Sequence, residues 1–402
     1  MIKLQSTITL GKGIHMIAIT GGPCSGKTTG LAKLVAMLQD KGYKVLVSPE
    51  SATKLIQGGV HPWELKGNVF QRQILLDTLM QEERFMEAAV EYRNQGHKVV
   101  ILCDRGAMDG KAYVAPGEFE KVCAELGLSL TDICNTRYHA VMHMRTAALG
   151  AEKFYTLENN AARKETPEEA RALDQRTLEA WQGHHHPRVI DNSTGFEGKI
   201  QRLLAEVSAV LGDPLPIERE EKFLVEPLTI EEIPTHVTES EIVQDYLLPA
   251  NTACRRSGCR SCKKPCFKPK ARKSGAWSEA DGERRVRARK DGAGTTYFYT
   301  VKQFIRPGER IEVERTITRM EYEEFLEIRN PATRTIRKKR LCFFYENQFI
   351  ELDLFLDPQG LALMEIEQSE HQPELKLPPY VKVLRNVTRE RRYSNRSLAE
   401  LG

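Results

Sequence analysis

Two patterns of apolar and polar positions divide the chain of 402 residues. From Ile14 to about residue 212, short apolar runs alternate with longer stretches of helical periodicity. IHMIAIT, YKVLVS, HKVVILCD, YHAVMHM and RVID read as strands, and HKVVILCD is of the fully buried type. The segment after the first strand, residues 69–95 closing on Gly96, and GFEGKIQRLLAEVSAVLG read as helices. Such alternation predicts a parallel sheet with helices on both faces.

The second pattern begins near residue 216 and has a period of two. Glu218, Glu220 and Lys222 open it, followed by Arg285, Arg287 and Arg289, then Thr300 and Lys302, then Glu312 and Glu314. Lys338 and Arg340, Glu351 and Asp353, and Glu365 and Glu367 complete it. A spacing of two places each set on one face of a strand. The opposite face is apolar in several of them (Val286 and Ala288, Ile311 and Val313, Leu352 and Leu354). If the apolar faces pack under helices, the charged faces point into a shared interior, and a closed sheet lined with acids and bases would hold metal ions and polyphosphate together. The one segment of this half read as helical is the stretch ending at Tyr246–Leu248.

Length allows two domains, 14–212 and 216–402, after a disordered leader at 1–13, with Met16 as an alternative start. No run of about 18 apolar residues marks a membrane span, and the N-terminus is too weakly apolar for a secretion signal. Nine scattered cysteines and the nucleotide motif below place the protein in the reducing cytoplasm. The formal charge of +4 is unevenly spread. Nine bases from Arg255 to Lys273 occur without an intervening acid.

Between the first strand and first helix, Gly21, Gly26, Lys27 and Thr28 fill the pattern GxxxxGK[ST]. Its glycines let backbone N–H groups curl around phosphate at a helix N-terminus. Lys27 would reach the β- and γ-phosphates, and the Thr28 hydroxyl would ligate Mg²⁺. The whole loop (Gly21, Gly22, Pro23, Cys24, Ser25, Gly26, Lys27, Thr28 and Thr29) is expected to bind ATP or GTP. Strand ends place Glu50, Asp104 and Arg105 beside it. Asp104 would hold the Mg²⁺, and Glu50 would serve either as a general base or as a helix cap. In the polar segment 151–180, Arg163, Lys164, Arg171 and Arg176 suit a lid over phosphates, with Arg163 and Arg171 reaching nucleotide. His184, His185 and His186 are assigned no role.

Two resemblances follow from these motifs. EREEK, then Arg-x-Arg, Thr-x-Lys, Glu-x-Glu, Lys-x-Arg and Glu-x-Glu, with the closing VTRERRYSNRSL, resemble the CYTH or triphosphate tunnel metalloenzyme family over residues 216 to 402. That likeness implies an α+β domain built on an antiparallel, eight-stranded tunnel barrel, following the α/β P-loop domain. GGPCSGKTT, VILCDRGAMDG, YHAVMHMRTAALGAEKFYTLENNAAR and RVIDNST resemble the AAA-type, kinase-like domain of TRPL translocation defect proteins, which carry a CYTH domain in the same order. The second likeness implies binding of GTP or ATP and of an anionic phospholipid surface.

In the tunnel, Glu218, Glu220, Glu314, Asp353, Glu365 and Glu367 are the candidate ligands for Mg²⁺ or Mn²⁺. Lys222, Arg285, Arg287, Lys302, Lys338 and Arg340 would grip a linear triphosphate. Catalysis would be positioning and charge neutralisation, with a metal-oriented water attacking phosphorus. Lys27, Asp104, Glu50 and Lys222 are the candidate catalytic residues. The insertion 251–275 carries Cys254, Cys259, Cys262 and Cys266, spaced for one Zn²⁺, for an iron–sulfur centre, or for redox-labile thiols on a basic loop. Its bases would steer polyphosphate, nucleic acid or acidic membrane, but no aromatic platform accompanies them, so sequence-specific nucleic acid is not expected. The function expected is a nucleotide-binding protein whose tunnel hydrolyses an inorganic or nucleoside triphosphate with Mg²⁺ or Mn²⁺, with nucleoside triphosphate and inorganic polyphosphate as its partners. The alternative is a nucleotide-regulated adaptor that recognises GTP and anionic phospholipid without tunnel catalysis.

Overall fold

A computed structural model describes residues 7–8, 13–65, 68–155, 165–213, 217–249, 282–368 and 375–400. The chain divides into two compact units, one built on Met1–Pro214 and the other on the strands and helices that follow Leu215. The cysteines of the insertion, and Arg163 and Lys164, lie outside the described residues.

In the first unit the strands are β1 (Ile14–Thr20), β2 (Tyr43–Ser48), β3 (Lys98–Asp104), β4 (Ala140–Met144) and β5 (Pro187–Ile190). They form one parallel sheet in the order β2-β3-β1-β4-β5. Helices α1 (Lys27–Asp40), α2 (Ser51–Gln57), α3 (Val69–Asn94), α4 (Glu118–Glu125), α5 (Leu130–Thr136), α6 (Pro167–Ala180) and α7 (Phe196–Val210) connect and follow them.

The alternation of β1 explains the layering. Ile14, Met16 and Ala18 join Leu75, Leu79 and Met86 of α3 in one core, while Ile17 and Ile19 join Leu31, Leu34 and Leu38 of α1 and Ile200 and Leu203 of α7 in the other. Each Ile, Leu or Met among them withdrawn from water contributes about 1.5–3 kcal/mol. Both faces being covered, the strands can be apolar throughout. Among the described residues, no helix is long and apolar enough to cross a membrane.

The second unit contains β6 (Ile217–Val225), β7 (Thr238–Tyr246), β8 (Glu283–Asp291), β9 (Gly294–Arg306), β10 (Glu309–Ile317), β11 (Ile336–Tyr345), β12 (Gln348–Asp357), β13 (Ala362–Glu367) and β14 (Val383–Asn386), with α8 (Arg319–Leu326) and α9 (Asn395–Glu400). The order β10-β9-β8-β7-β11-β12-β13-β6 closes on itself through a β10–β6 pairing, and β14 adds outside β6. An antiparallel eight-stranded barrel results. All seven charge-alternating segments are strands of it.

The eighth strand corrects the expectation of a helix before Leu248. Thr238–Tyr246 is β7, paired with both β8 and β11. Its inward positions are Ser240, Ile242, Gln244 and Tyr246, all buried. They lack the charge that marks the other seven, so period-two alternation was invisible there. Outside the barrel, Val286 of β8 packs with Ile317 of β10 and Tyr322 of α8, and Ala288, Tyr297 and Phe325 close around them. The apolar face of that part of the sheet is therefore covered by a helix.

A fully buried ion pair fastens α3 to the end of α5. Arg137 Nε donates to Glu82 Oε2 at 2.7 Å, both side chains having no exposure, and the Tyr138 hydroxyl donates to the other carboxylate oxygen. Glu82→Ala removes the carboxylate that neutralises Arg137 in the core. The expected loss is about 3–5 kcal/mol, read as a lower urea midpoint with unchanged slope.

Candidate functional site

The nucleotide loop is held open by residues that need glycine. Gly21 has φ 143° and Gly26 φ 81°. A Cβ on Gly21 would come within 2.1 Å of the Met144 carbonyl oxygen, and one on Gly26 within 2.7 Å of the Phe196 ring. Lys27 Nζ curls back on the Gly21 carbonyl at 3.0 Å, the Gly22 carbonyl at 3.4 Å and Ser25 Oγ at 3.4 Å. Burial and the neighbouring Arg105 push the Lys27 ammonium down to about 8, opposed by Glu50, Asp104 and Asp109. Thr28 and Thr29 stand exposed in the first turn of α1. An ammonium at the centre of a glycine cradle, with a hydroxyl beside it, is the arrangement that accepts polyphosphate and Mg²⁺.

Glu50, Asp104 and Arg105 are brought together as their strand ends imply. Arg105 Nε lies 2.5 Å from Glu50 Oε1. Burial pushes the Glu50 carboxyl up, but Arg105 and Lys27, with hydrogen bonds from Thr53 and Arg105, bring it down to about 2. Glu50 also stands at the N-cap of α2, where its side chain accepts from Thr53 Oγ1 at 2.6 Å. A carboxylate held so low is a weak proton acceptor, and its side chain makes no capping bond to the backbone of α2. Asp104 is raised by burial and by Glu50 and Asp109 against the pull of Lys27 and Arg105. Arg105 itself adopts φ 70°, an unusual conformation for a residue with a side chain.

Sequence reasoning missed three buried groups that fix this loop. Asp109, in the 3₁₀ turn after β3, accepts from Thr20 Oγ1 at 2.6 Å, Trp181 Nε1 at 2.6 Å and Arg105 at 3.1 Å. Asp174 on α6 accepts from the Gly22 N–H at 2.8 Å, the Thr146 N–H at 3.0 Å and Arg145 at 2.9 Å, with His143 Nε2 at 3.2 Å. Burial would raise its carboxyl, but His143, Arg145 and the Gly22 N–H bring it down to about 2. Lys199 on α7 donates to the Ser25 carbonyl at 3.0 Å, the Arg145 carbonyl at 2.7 Å and Asn192 Oδ1 at 2.7 Å. Burial pushes its ammonium down to about 7. Asp174 falls inside the segment expected to form a lid, of which Pro167–Ala180 is a packed helix. There Arg171 donates to the Ala148 carbonyl at 2.7 Å and Arg176 to the Ala112 carbonyl at 3.0 Å.

In the barrel the period-two residues meet across strands. Lys222 lies 2.6 Å from Glu365 and 3.5 Å from Glu220. Lys302 contacts Glu312 and lies 3.4 Å from Glu218. Arg287 lies 2.7 Å from Glu314, which also accepts from Thr300 at 2.6 Å, and Arg285 lies 3.3 Å from Glu312. Arg340 spans Asp353 with two bonds of 2.7 Å, contacts Glu351 and lies 3.4 Å from Glu365. Lys338 contacts the same Asp353, and burial lowers its ammonium to about 8 against that carboxylate's pull. Burial and Glu218 raise the Glu312 carboxyl to about 7.

Two observations separate grip from scaffold. Arg285 Nε and Arg287 Nε are buried with no hydrogen-bond partner among the described residues, so two cationic N–H groups remain for an anion. Asp353, by contrast, is wholly buried and saturated by Lys338 and Arg340. Glu367 stands opposite Glu220, and Glu365 opposite Lys222, across β13 and β6. With Glu218 they make an oxygen-only donor set on adjacent strands, which suits a hard divalent ion. As they stand no three acids among the described residues converge on one point; Lys222 and Arg310 are interposed. Arg310 was missed, although it precedes Glu312 by two and shares its parity.

Residues 16–199 match an AAA domain family, which covers the sheet and the glycine loop of the first unit. No curated protein matches the chain. Among solved structures, one described as the inorganic triphosphatase NE1496 is similar at 24% identity, over 46% of this chain and 94% of that one, with a TM-score of 0.28. PH1819 protein from Pyrococcus horikoshii OT3 is similar at 20% identity, over 39% and 79% respectively, with a TM-score of 0.27. Scores of this size do not establish a shared fold, and the barrel rests on the strand pairing itself.

Asp174→Asn removes the charge that holds Arg145 while keeping the shape. Nucleotide affinity, measured by fluorescent nucleotide titration, is expected to fall about tenfold, since hydrogen bonds to charged groups contribute about 1.5–3 kcal/mol. Lys199 gives a pH signature. Its folded pKa, about 7, lies below the unfolded lysine value, so its penalty on the fold is full below 7 and is relieved as pH rises above it. Lys199→Met is therefore expected to flatten the gain in stability between pH 7 and 10, seen as the difference from wild type in thermal melts.

Proposed function

We propose that the barrel binds a linear triphosphate along its interior and hydrolyses it with Mg²⁺ or Mn²⁺, and that the first unit binds ATP or GTP. The observation that carries this reading is the pair of unpartnered Arg285 and Arg287 Nε–H groups in a barrel also lined by Lys222, Lys302, Lys338 and Arg340. A row of cations on neighbouring strands matches a row of phosphates, and guanidinium groups bind them with fixed geometry. The order of charged elements adds the resemblance to triphosphate tunnel enzymes.

Within this reading each residue has a task. Arg285 and Arg287 turn their free N–H groups on phosphate oxygens, and Lys302 and Lys222 neutralise the remaining charge. Arg340 and Lys338, pinned by Asp353, keep a rigid positive wall. Glu218, Glu220, Glu365 and Glu367 would hold a divalent ion, which when bound supplies charge neutralisation at the phosphates. Water then adds across one phosphoanhydride bond of inorganic triphosphate, giving pyrophosphate and orthophosphate. In the first unit the loop Gly21–Thr29 cradles nucleotide, Lys27 reaches its terminal phosphates, and Thr28 with Asp104 would hold Mg²⁺; the same site would serve phosphoryl transfer to an acceptor. The chain as a whole fits a cytoplasmic P-loop and CYTH fusion of the translocation defect type.

The test uses the full chain carrying Lys27→Ala to silence the nucleotide loop. It is given tripolyphosphate, ATP or GTP with Mg²⁺ or Mn²⁺. Phosphate release is expected, and adding Glu365→Gln should reduce it by about a hundredfold, the loss typical when one preorganised charge is removed. Full activity in that double variant would sink the assignment.

A further inference from the structure

Arg310 occupies a position that the reading above leaves without a role. The short β10–β6 seam sets it directly opposite Glu218. Its Nε lies 3.1 Å from Glu218 Oε2, and its Nη2 contacts Glu220. The same Glu220 oxygen, Oε1, also lies 3.5 Å from Lys222 Nζ. Thus the two acids that open the tunnel series are bridged by one planar fork. The Arg310 side chain keeps 24% exposure and Glu218 keeps 23%, so the bridge can be reached by solvent and solutes. A guanidinium spanning two carboxylates does electrostatically what a divalent ion would do there, with half the charge.

We infer that Arg310 is a resident stand-in for the metal: it neutralises Glu218 and Glu220 in the ligand-free tunnel and leaves them for phosphate oxygens when a divalent cation and a triphosphate enter. The inference rests on the proposed metal-dependent triphosphate site. A cation arriving alone must displace Arg310 without bringing it a new anion. A cation arriving with triphosphate displaces it onto a new partner. Arg310 thereby couples the two ligands, and coupling between sites commonly amounts to about 5–150-fold in affinity. It is a positioning residue, distinct from Arg285 and Arg287, whose Nε–H groups stand unpartnered without any displacement.

The experiment measures Mn²⁺ binding to the full-length protein by the loss of the free-ion EPR signal, with no phosphate present. Arg310→Met is expected to bind Mn²⁺ at least about fivefold more tightly than wild type. Without metal the variant should melt lower than wild type, because Glu218 keeps only Lys302 and Glu220 only Lys222 as a cation, and Mn²⁺ should restore more of its stability. Arg310→Lys retains the charge but not the fork, and should fall between the two in Mn²⁺ affinity. Equal Mn²⁺ affinity in wild type and in both variants overturns the inference while leaving the metal site standing. Absence of Mn²⁺ binding by all three at millimolar metal overturns the metal reading of the barrel and the inference with it.

Discussion

The second unit depends on mutual compensation of charge inside a closed sheet. Closure puts the inward positions of eight strands around one interior, where an unpaired charge is costly. Lys222, Arg285, Arg287, Lys302, Arg310, Lys338 and Arg340 are each matched there by a carboxylate from another strand. A barrel filled this way is held by polar pairing on the inside and by apolar packing, such as that beneath α8, on the outside. On the proposed reading, a bound cation and polyanion replace internal ion pairs without leaving net charge behind.

The same logic governs the first unit on a smaller scale. Asp109 and Asp174 are buried carboxylates, each accepting three or more bonds, and between them they reach Thr20, Gly22, Arg105, Arg145 and Trp181. Backbone amides that would face phosphate must be held without partners of their own, so the loop is tied from behind. Lys199 ties it from the side through the Ser25 carbonyl. Preorganised loops of this sort bind phosphate without first paying to order themselves.

How much of this was legible in the chain depends on whether the signal was local. The glycine loop was readable because its residues are consecutive and their roles are backbone roles. Seven barrel strands were readable because charge recurs at every second residue. β7 was read as a helix because Ser240, Ile242, Gln244 and Tyr246 carry no charge, and only their burial between β8 and β11 identifies the strand. Asp174 lay in a charged run on a helix, where nothing distinguishes a solvated acid from a buried one. Arg310 shared the parity of Glu312 and Glu314, so that signal was present.

The sequence by itself determined the two fold classes, the phosphate loop and the inward faces of seven strands, because spacing alone decides which side chains share a face. Only the tertiary structure decided which acid meets which base. Pairing across the β10–β6 seam, the saturation of Asp353, and the freedom of Arg285 Nε and Arg287 Nε arise from barrel closure. Closure joins positions nearly a hundred residues apart, and no local pattern records the register in which they meet.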